Sequence, residues 1–252
     1  TTSRSPDDVS QQHARAIASE IGCVFQPRSR CPLETLCEGA ECVHAIVVTH
    51  SEVRLVSPEG SFWFHPNMAR ARIESTLRGE IDRLAAFVAL KEGDSFLDMT
   101  CGLGADAITA AHVVGEAGRV VAVERSEVLS TIVRHGMQIY KHRTKEVESA
   151  MRRVEVVSAD SVRFLENEPD RSWDVIYFDP MFEKTVQKSQ GIDGVRTLAW
   201  SGSTTRPQVQ DALRVARRCV AMKDRAPGEK LRELGFANIS DRGRVCYGRM
   251  DV

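Results

Sequence analysis

Five short apolar runs, each stopping at or beside a polar residue, constrain this chain more than anything else in it. Phe96-Leu97 runs into Asp98 and Val120–Val123 into Glu124. Val154–Val157 stops just short of Asp160, Val175–Phe178 runs into Asp179, and Cys219–Met222 into Lys223. Short apolar runs bounded by turn residues read as strands buried on both faces. Helical spacing fills the gaps: Asp106 to Val114, then Val128, Leu129, Ile132, Val133 and Tyr140, and later Val209, Leu213 and Ala216. Such alternation predicts a doubly wound α/β sheet, mostly parallel, whose ligands bind outside the carboxyl ends of its strands. Phe236–Ile239 and Val245–Met250 are also strands. With only a turn around Asp241-Arg242-Gly243 between them they must pair antiparallel, which adds an antiparallel C-terminal strand and brings the sheet to seven.

Residues 1–66 read as a separate, small α+β module ahead of a main domain at 67–252. Ser5-Pro6-Asp7-Asp8 is a helix start with Ser5 as cap, Ala14, Ile17, Ala18 and Ile21 form its apolar stripe, and Gly22 ends it. Val24-Phe25 is a short strand, and Pro32 to Cys37 one or two helical turns. Ala45–Val48, Val53–Val56 and Ser61–Phe64 are three strands joined by turns. Residues 67 to 90 then predict one long helix, with Ile73, Leu77, Ile81, Leu84 and Val88 on a buried face and Arg70, Arg72, Arg78 and Arg83 off it.

The formal charge of −1 excludes a globally basic nucleic-acid binder, yet the charge is uneven. Residues 125–153 carry seven Lys/Arg against three Asp/Glu, and 201–252 eleven against six. Two positive tracts suit an anionic partner held on one face. Seven cysteines, an odd number without a Cys-x-x-Cys pair, predict reduced thiols. Cys23, Cys31, Cys37 and Cys42 crowd the N-terminal region at spacings that match no common zinc pattern, so no metal is expected. No apolar run reaches the length of a membrane span and no leader is seen, which with reduced thiols points to the cytoplasm.

The sharpest local signal is Leu97-Asp98-Met99-Thr100-Cys101-Gly102-Leu103-Gly104, a strand that breaks into a glycine loop with a helix opening near Ala105-Asp106. Gly102 and Gly104 allow positive φ and close approach of a ligand to the backbone, and the helix start offers unpaired amides. Gly102, Gly104 and Ala107 also satisfy a loose dinucleotide pattern, so spacing alone admits a nicotinamide dehydrogenase. Asp98 argues against it: a carboxylate there repels a pyrophosphate and welcomes the ammonium of S-adenosylmethionine, whose sulfonium is also positive. Glu124 can take two ribose hydroxyls, and Asp160-Ser161 is placed for an adenine edge. Each acid alone could be a helix cap; a succession of them at strand ends favours a cofactor.

Asp179-Pro180-Met181-Phe182 carries the chemistry. The lone pair of an exocyclic amine on a nucleobase is delocalised into the ring. A carboxylate and a carbonyl accepting its two N–H bonds draw the nitrogen towards tetrahedral geometry and aim the lone pair at a methyl group. Pro180 stiffens the turn and Phe182 offers a stacking face.

These residues together resemble class I S-adenosylmethionine-dependent methyltransferases, which implies a Rossmann-like fold. The Asp-Pro-Met-Phe run is similar to the Asp/Asn-Pro-Pro-Phe/Tyr motif of amino-group methyltransferases. Leu97 to Asp106, Glu124-Arg125, Asp179 to Phe182, Lys223 and the earlier Arg78-Gly79-Glu80 resemble more narrowly the bacterial small-subunit ribosomal RNA guanine-N2 methyltransferases (RsmJ-like). That resemblance implies cofactor contacts at Ala105, Asp106, Glu124, Arg125, Asp160, Ser161 and Asp179, and RNA as partner. Lys223 and the loop residue Lys188, with Phe182, would hold the substrate. The chain departs from that family at Ala105, where arginine is usual, at Asp160, which replaces a small hydroxyl residue, and in lacking a Lys-Arg-Pro run after Met222. A methyltransferase for DNA adenine or a protein amine, and a non-catalytic RNA-binding protein that keeps the cofactor as a structural ligand, are the competing readings.

Overall fold

A computed structural model describes residues 1–58, 60–180, 203–240 and 243–252. In chain order it gives α1 (Asp8–Glu20), α2 (Leu33–Gly39), β1 (Ala45–Val48), β2 (Val53–Ser57), β3 (Gly60–Trp63), α3 (Asn67–Leu77) and α4 (Arg83–Phe87). There follow β4 (Ser95–Asp98), α5 (Ala105–Val114), β5 (Arg119–Glu124), α6 (Glu127–Ile139), α7 (Lys145–Arg153), β6 (Val154–Ser158), α8 (Ser161–Asn167) and β7 (Trp173–Phe178). The last elements are α9 (Arg206–Val215), β8 (Ala216–Arg225), α10 (Glu229–Leu234), β9 (Asn238–Ile239) and β10 (Val245–Asp251).

These elements form two compact units. The first contains Thr1–His65 and Ser126–Lys141. Its sheet is the antiparallel meander β1-β2-β3, and α6 packs on β2 and β3. Gly136 of α6 permits that packing: a Cβ there would lie 2.3 Å from the Cβ of Phe64, so any side chain would force the helix off the buried Phe64 ring. Two N-terminal expectations fail. The cap of α1 is Asp7, whose carboxylate accepts from the Ser10 amide at 2.7 Å, because the helix opens at Asp8 and Ser5 lies too early to reach it. Val24-Phe25 forms no strand; Val24 is exposed.

The second unit holds Pro66–Arg125, the stretch from His142 through Pro180, and the described residues beyond 202. Its sheet has seven strands in the order β6-β5-β4-β7-β8-β10-β9. The first five run parallel, and β10 is antiparallel to both β8 and β9. Leu97, Val121, Ile176, Phe178 and Val220 are at most 1 % exposed, as covered parallel strands must be. Each such side chain contributes about 1.5–3 kcal/mol by leaving water. The chain winds outwards from β4 through β5 to β6, then returns to place β7 on the other side of β4, so the order reverses between β4 and β7. Asp98 pairs in register with Tyr177 there, two residues before Asp179.

The expected helix over 67–90 is two helices. Leu77 and Ile81, read as buried, are 50 % and 79 % exposed. Gly79 at φ +93° turns the chain, and Asp82 starts α4 afresh by accepting from the Ala85 amide at 3.0 Å. The spacing of three and four continues through this break by coincidence. Lys223 also departs from expectation, since it lies inside β8 rather than at its end. Antiparallel pairing with β10, from Val245↔Arg225 to Asp251↔Cys219, carries β8 past the end of β7.

Candidate active site

The reversal point gathers three carboxylates and a lysine. Asp98, the last residue of β4, is 1 % exposed, and its Oδ1 accepts from the Thr100 amide at 3.0 Å and hydroxyl at 3.3 Å. Burial above all, then the charges of Asp106 and Asp179, push its carboxyl up to about 8 against the pull of the Thr100 amide. Asp98 is therefore largely neutral at pH 7 until a cation arrives.

Asp106 stands in the first turn of α5, which opens after Gly104 at φ +73°, a left-handed conformation that favours glycine. It is 7 % exposed, bonded by Arg72 and approached by the Tyr177 hydroxyl at 3.4 Å. Asp179 follows β7. Its amide donates to Thr100 Oγ1 at 2.6 Å and its Oδ2 accepts from Lys223 Nζ at 2.6 Å. Burial pushes the Asp179 carboxyl up to about 6, with Lys223 pulling it down and Asp106 pushing it further up. Burial likewise opposes the charge on Lys223, but Asp179 and Asp106 outweigh it and hold its pKa above the ordinary lysine value. The register of β7 with β8, Phe178↔Met222, sets these two side chains one residue further along and side by side.

The remaining residues singled out in the sequence are placed as follows. The Gly102 amide donates to Glu124 Oε2 at 3.1 Å, so Glu124 at the end of β5 ties down the glycine loop. Asp160 caps α8 through Oδ1, bonding the amides of Val162 and Arg163, while its Oδ2 faces Arg125 at 3.5 Å. Ser161 Oγ accepts from Gln208 at 3.2 Å. Ala105 opens α5, and Pro180 is half-buried beside Asp179. Phe182 and Lys188 lie outside the described residues. Lys223, expected to hold the substrate, has its ammonium on Asp179.

Arg72, Asp82 and Tyr177 belong to the cluster but were passed over in the sequence. Arg72 lies off an apolar stripe and looked like a solvated face. The one available signal was Asp82 ahead of Arg83-Leu84, a helix-cap pattern. Three of the four N-terminal cysteines, Cys23, Cys37 and Cys42, line a cavity of about 250 Å³ in the first unit. Among the described residues no group of three or more His, Cys, Asp or Glu side chains is arranged to hold a metal ion.

The chemistry of this donor set fits S-adenosylmethionine. Asp106 and Asp179 are each bonded by a cation, Arg72 and Lys223, which leaves Asp98 as the carboxyl a cationic ligand would ionise. A Cβ built on Gly102, at φ +51°, meets nothing nearer than the Thr100 carbonyl at 3.9 Å, so the loop surface is open to a ligand. Asp98, Gly102, Gly104 and Glu124 are the residues that would hold such a cofactor.

A doubly wound sheet whose β4/β7 reversal carries a glycine loop and strand-end acids is the arrangement expected of a class I methyltransferase. Residues 43–227 match the family described as "Putative SAM-dependent methyltransferase". The chain is 36 % identical over 248 residues to an uncharacterized protein, YpiP, of Bacillus subtilis, covering 98 % of this chain and 96 % of that one. The protein belongs to this S-adenosylmethionine-dependent methyltransferase family. A ribosomal RNA small subunit methyltransferase J from Acinetobacter baylyi is 30 % identical over 129 residues, 50 % of this chain and 44 % of its own length. A solved methyltransferase from Neisseria gonorrhoeae shares the fold, with a TM-score of 0.63 at 16 % identity over 97 % of this chain and 93 % of that one. Among the described residues no helix is long and apolar enough to cross a membrane.

Proposed function

We propose that this methyltransferase modifies the exocyclic N2 amine of a guanine in small-subunit ribosomal RNA, acting in the cytoplasm. The observation that carries the reading is Asp179, with Pro180 directly after it. Its carboxylate sits at the strand-order reversal, is fixed through its amide by Thr100 and is steadied by Lys223. The partial similarity to the Acinetobacter ribosomal RNA enzyme supports the choice of RNA.

The bound cofactor supplies an electrophilic methyl group on a sulfonium. The Asp179 carboxylate accepts one N–H of the amine and the Pro180 carbonyl the other, which localises the nitrogen lone pair. Methylation makes that nitrogen strongly acidic, and the proton passes to Asp179, whose raised pKa of about 6 suits it to receive one near neutrality. Lys223 keeps the carboxylate ionised until then. Phe182 would stack on the base, and Lys188 would meet the phosphate backbone.

The test is transfer of labelled methyl groups to ribosomal RNA from a strain lacking the protein, with DNA and bulk protein as parallel substrates. Label in the small-subunit RNA, mapped to a guanine N2, is the expected result. Label in DNA or protein alone moves the assignment to another amine. No label anywhere, with S-adenosylhomocysteine still bound, leaves a non-catalytic binding protein. Replacing Asp179 by Ala should lower kcat by about 10²–10³-fold, the scale for losing one preorganised electrostatic partner; unchanged turnover would remove Asp179 from the mechanism.

A further inference from the structure

Cys37 and Cys42 take no part in the chemistry above, and they meet at the end of α2. The helix closes with a Schellman motif. The Cys42 amide donates to the Cys37 carbonyl at 3.0 Å, and the Glu41 amide to the Glu38 carbonyl at 3.2 Å. Glu41, at φ +50°, supplies the left-handed residue that this closure requires. The longer-range bond joins the third residue from the helix end to the second residue beyond its cap. Those are the two positions whose side chains come into contact in this motif. Here both are cysteines.

An amide-to-carbonyl bond between two residues brings their Cα atoms to about the 4.4–6.8 Å that a disulfide spans. The thiols also act on one another: burial first, then a bond from Cys42, pushes the Cys37 thiol above its ordinary value. Both residues border the cavity of the first unit, beside Leu36 and Ala40. Two cysteines that merely filled an apolar contact would be buried together, as Cys101, Cys219 and Cys246 are buried in the second unit. Cys42 is instead exposed and Cys37 half-buried, so a reagent reaches the pair from solvent. Cys23 shares the cavity, but it is Cys42 that the turn itself holds against Cys37.

We infer that Cys37 and Cys42 form a redox-sensitive dithiol, a modification site whose reagent is a peroxide and whose product is a reversible disulfide across the end of α2. Cys42, the exposed member, gives up its proton and its sulfur attacks one peroxide oxygen. The O–O bond breaks, a sulfenic acid forms on Cys42, and the departing hydroxide leaves with that proton as water. The Cys37 sulfur then attacks the Cys42 sulfur. The S–S bond forms, the S–O bond breaks, and the hydroxyl leaves with the Cys37 proton as a second water. Two thiols are thereby oxidised and one hydrogen peroxide is reduced to two waters. A dithiol reductant reverses the bond by thiol–disulfide exchange. Where thiols are kept reduced, disulfides of this kind are transient and redox-sensing rather than structural. None of the residues of α2 is buried, so the bond adds a fastening where packing supplies little. The inference is independent of the methyl-transfer site and of its substrate.

The experiment treats the full, reduced chain with hydrogen peroxide, blocks the remaining thiols with iodoacetamide and digests the unfolded chain with a Glu-specific protease. Cleavage after Glu34, Glu38, Glu41 and Glu52 separates the two cysteines, so their disulfide appears as residues 35–38 joined to residues 42–52. That linked pair is the expected product, and dithiothreitol should abolish it completely. Cys37→Ser should abolish the link and leave a sulfenic acid on Cys42 that dimedone traps. Cys42→Ser should leave Cys37 open to iodoacetamide at the same peroxide dose. The wild-type chain alone decides whether the link forms, so the test holds even if a variant fails to fold. Three results overturn the inference. One is a link from either cysteine to residues 21–34, which carry Cys23 and Cys31. Another is Cys42 carried on to sulfinic acid while Cys37 is still alkylated. The third is both thiols alkylated after a dose that fully oxidises free glutathione.

Discussion

Glu20 in the first unit and Asp179 in the second are both carboxylates bonded to a cation, yet their surroundings push them in opposite directions. Glu20 is bonded by Arg134, by His135 Nε2 at 2.9 Å and by the Thr131 hydroxyl at 2.9 Å, and His135 Nδ1 meets His13 Nε2 at 2.7 Å. Burial raises the Glu20 carboxyl, but these donors outweigh it and the net shift is downwards. Asp179 has Lys223, yet burial and the nearby Asp106 leave it high, at about 6. An ion pair therefore says little by itself. Donors in excess fasten a carboxylate as structure, whereas acids in excess leave it ready to exchange a proton.

The contrast can be broken most sharply at Lys223. Replacing it by Met removes the cation that is bonded to Asp179 among the described residues, so the proton stays on until higher pH. The acid limb of kcat/KM, expected near 6 in the wild type, should move upwards. A displacement of one unit would cost about tenfold in rate at a pH below both limbs. A limb that stays in place would show that Lys223 does not set the ionisation of Asp179.

The wild-type cofactor equilibrium is the next largest effect. Asp98 is held neutral until about pH 8, so binding a cationic ligand should release a proton below that pH and tighten as pH rises towards it. Calorimetry in buffers of differing ionisation enthalpy measures the release directly. Binding independent of pH between about 6 and 8 would contradict an acidic selector at this position.

The smallest effect belongs to the first unit. The folded pKa of Glu20 is depressed, so its stabilisation is present above the unfolded carboxylate value and is lost as pH falls through the folded value. Glu20→Gln should lower stability at pH 7 by about 1 kcal/mol, since the side chain is 33 % exposed and water screens the pair. The loss should vanish in acid, with turnover unchanged. A thermal-denaturation series across pH distinguishes this from a general packing defect.

Much of the fold was legible because a covered parallel strand must be apolar throughout, and little but a polar residue can follow it at the mouth of a site. The five parallel strands follow from that rule; the order in which they lie does not. The helices were less legible. α7, α8 and α10 were passed over because each buries only one to three side chains, such as Val147, Ala150 and Met151 in α7, too few to mark a stripe. The break after Leu77 was hidden because apolar spacing carries no record of the backbone turn at Gly79. In the site, the residues at strand ends were found and Arg72 was not. Its partners Asp82 and Asp106 are 10 and 34 residues away, and only the packing of α3 beside α5 brings them together.

Thr100 Oγ1 donates to Asp98 and accepts from the Asp179 amide. Asp179, proposed to meet the substrate, is thus hung from the loop proposed to meet the cofactor rather than built beside it. On the proposed mechanism, a change at Thr100 should disturb cofactor affinity and turnover together.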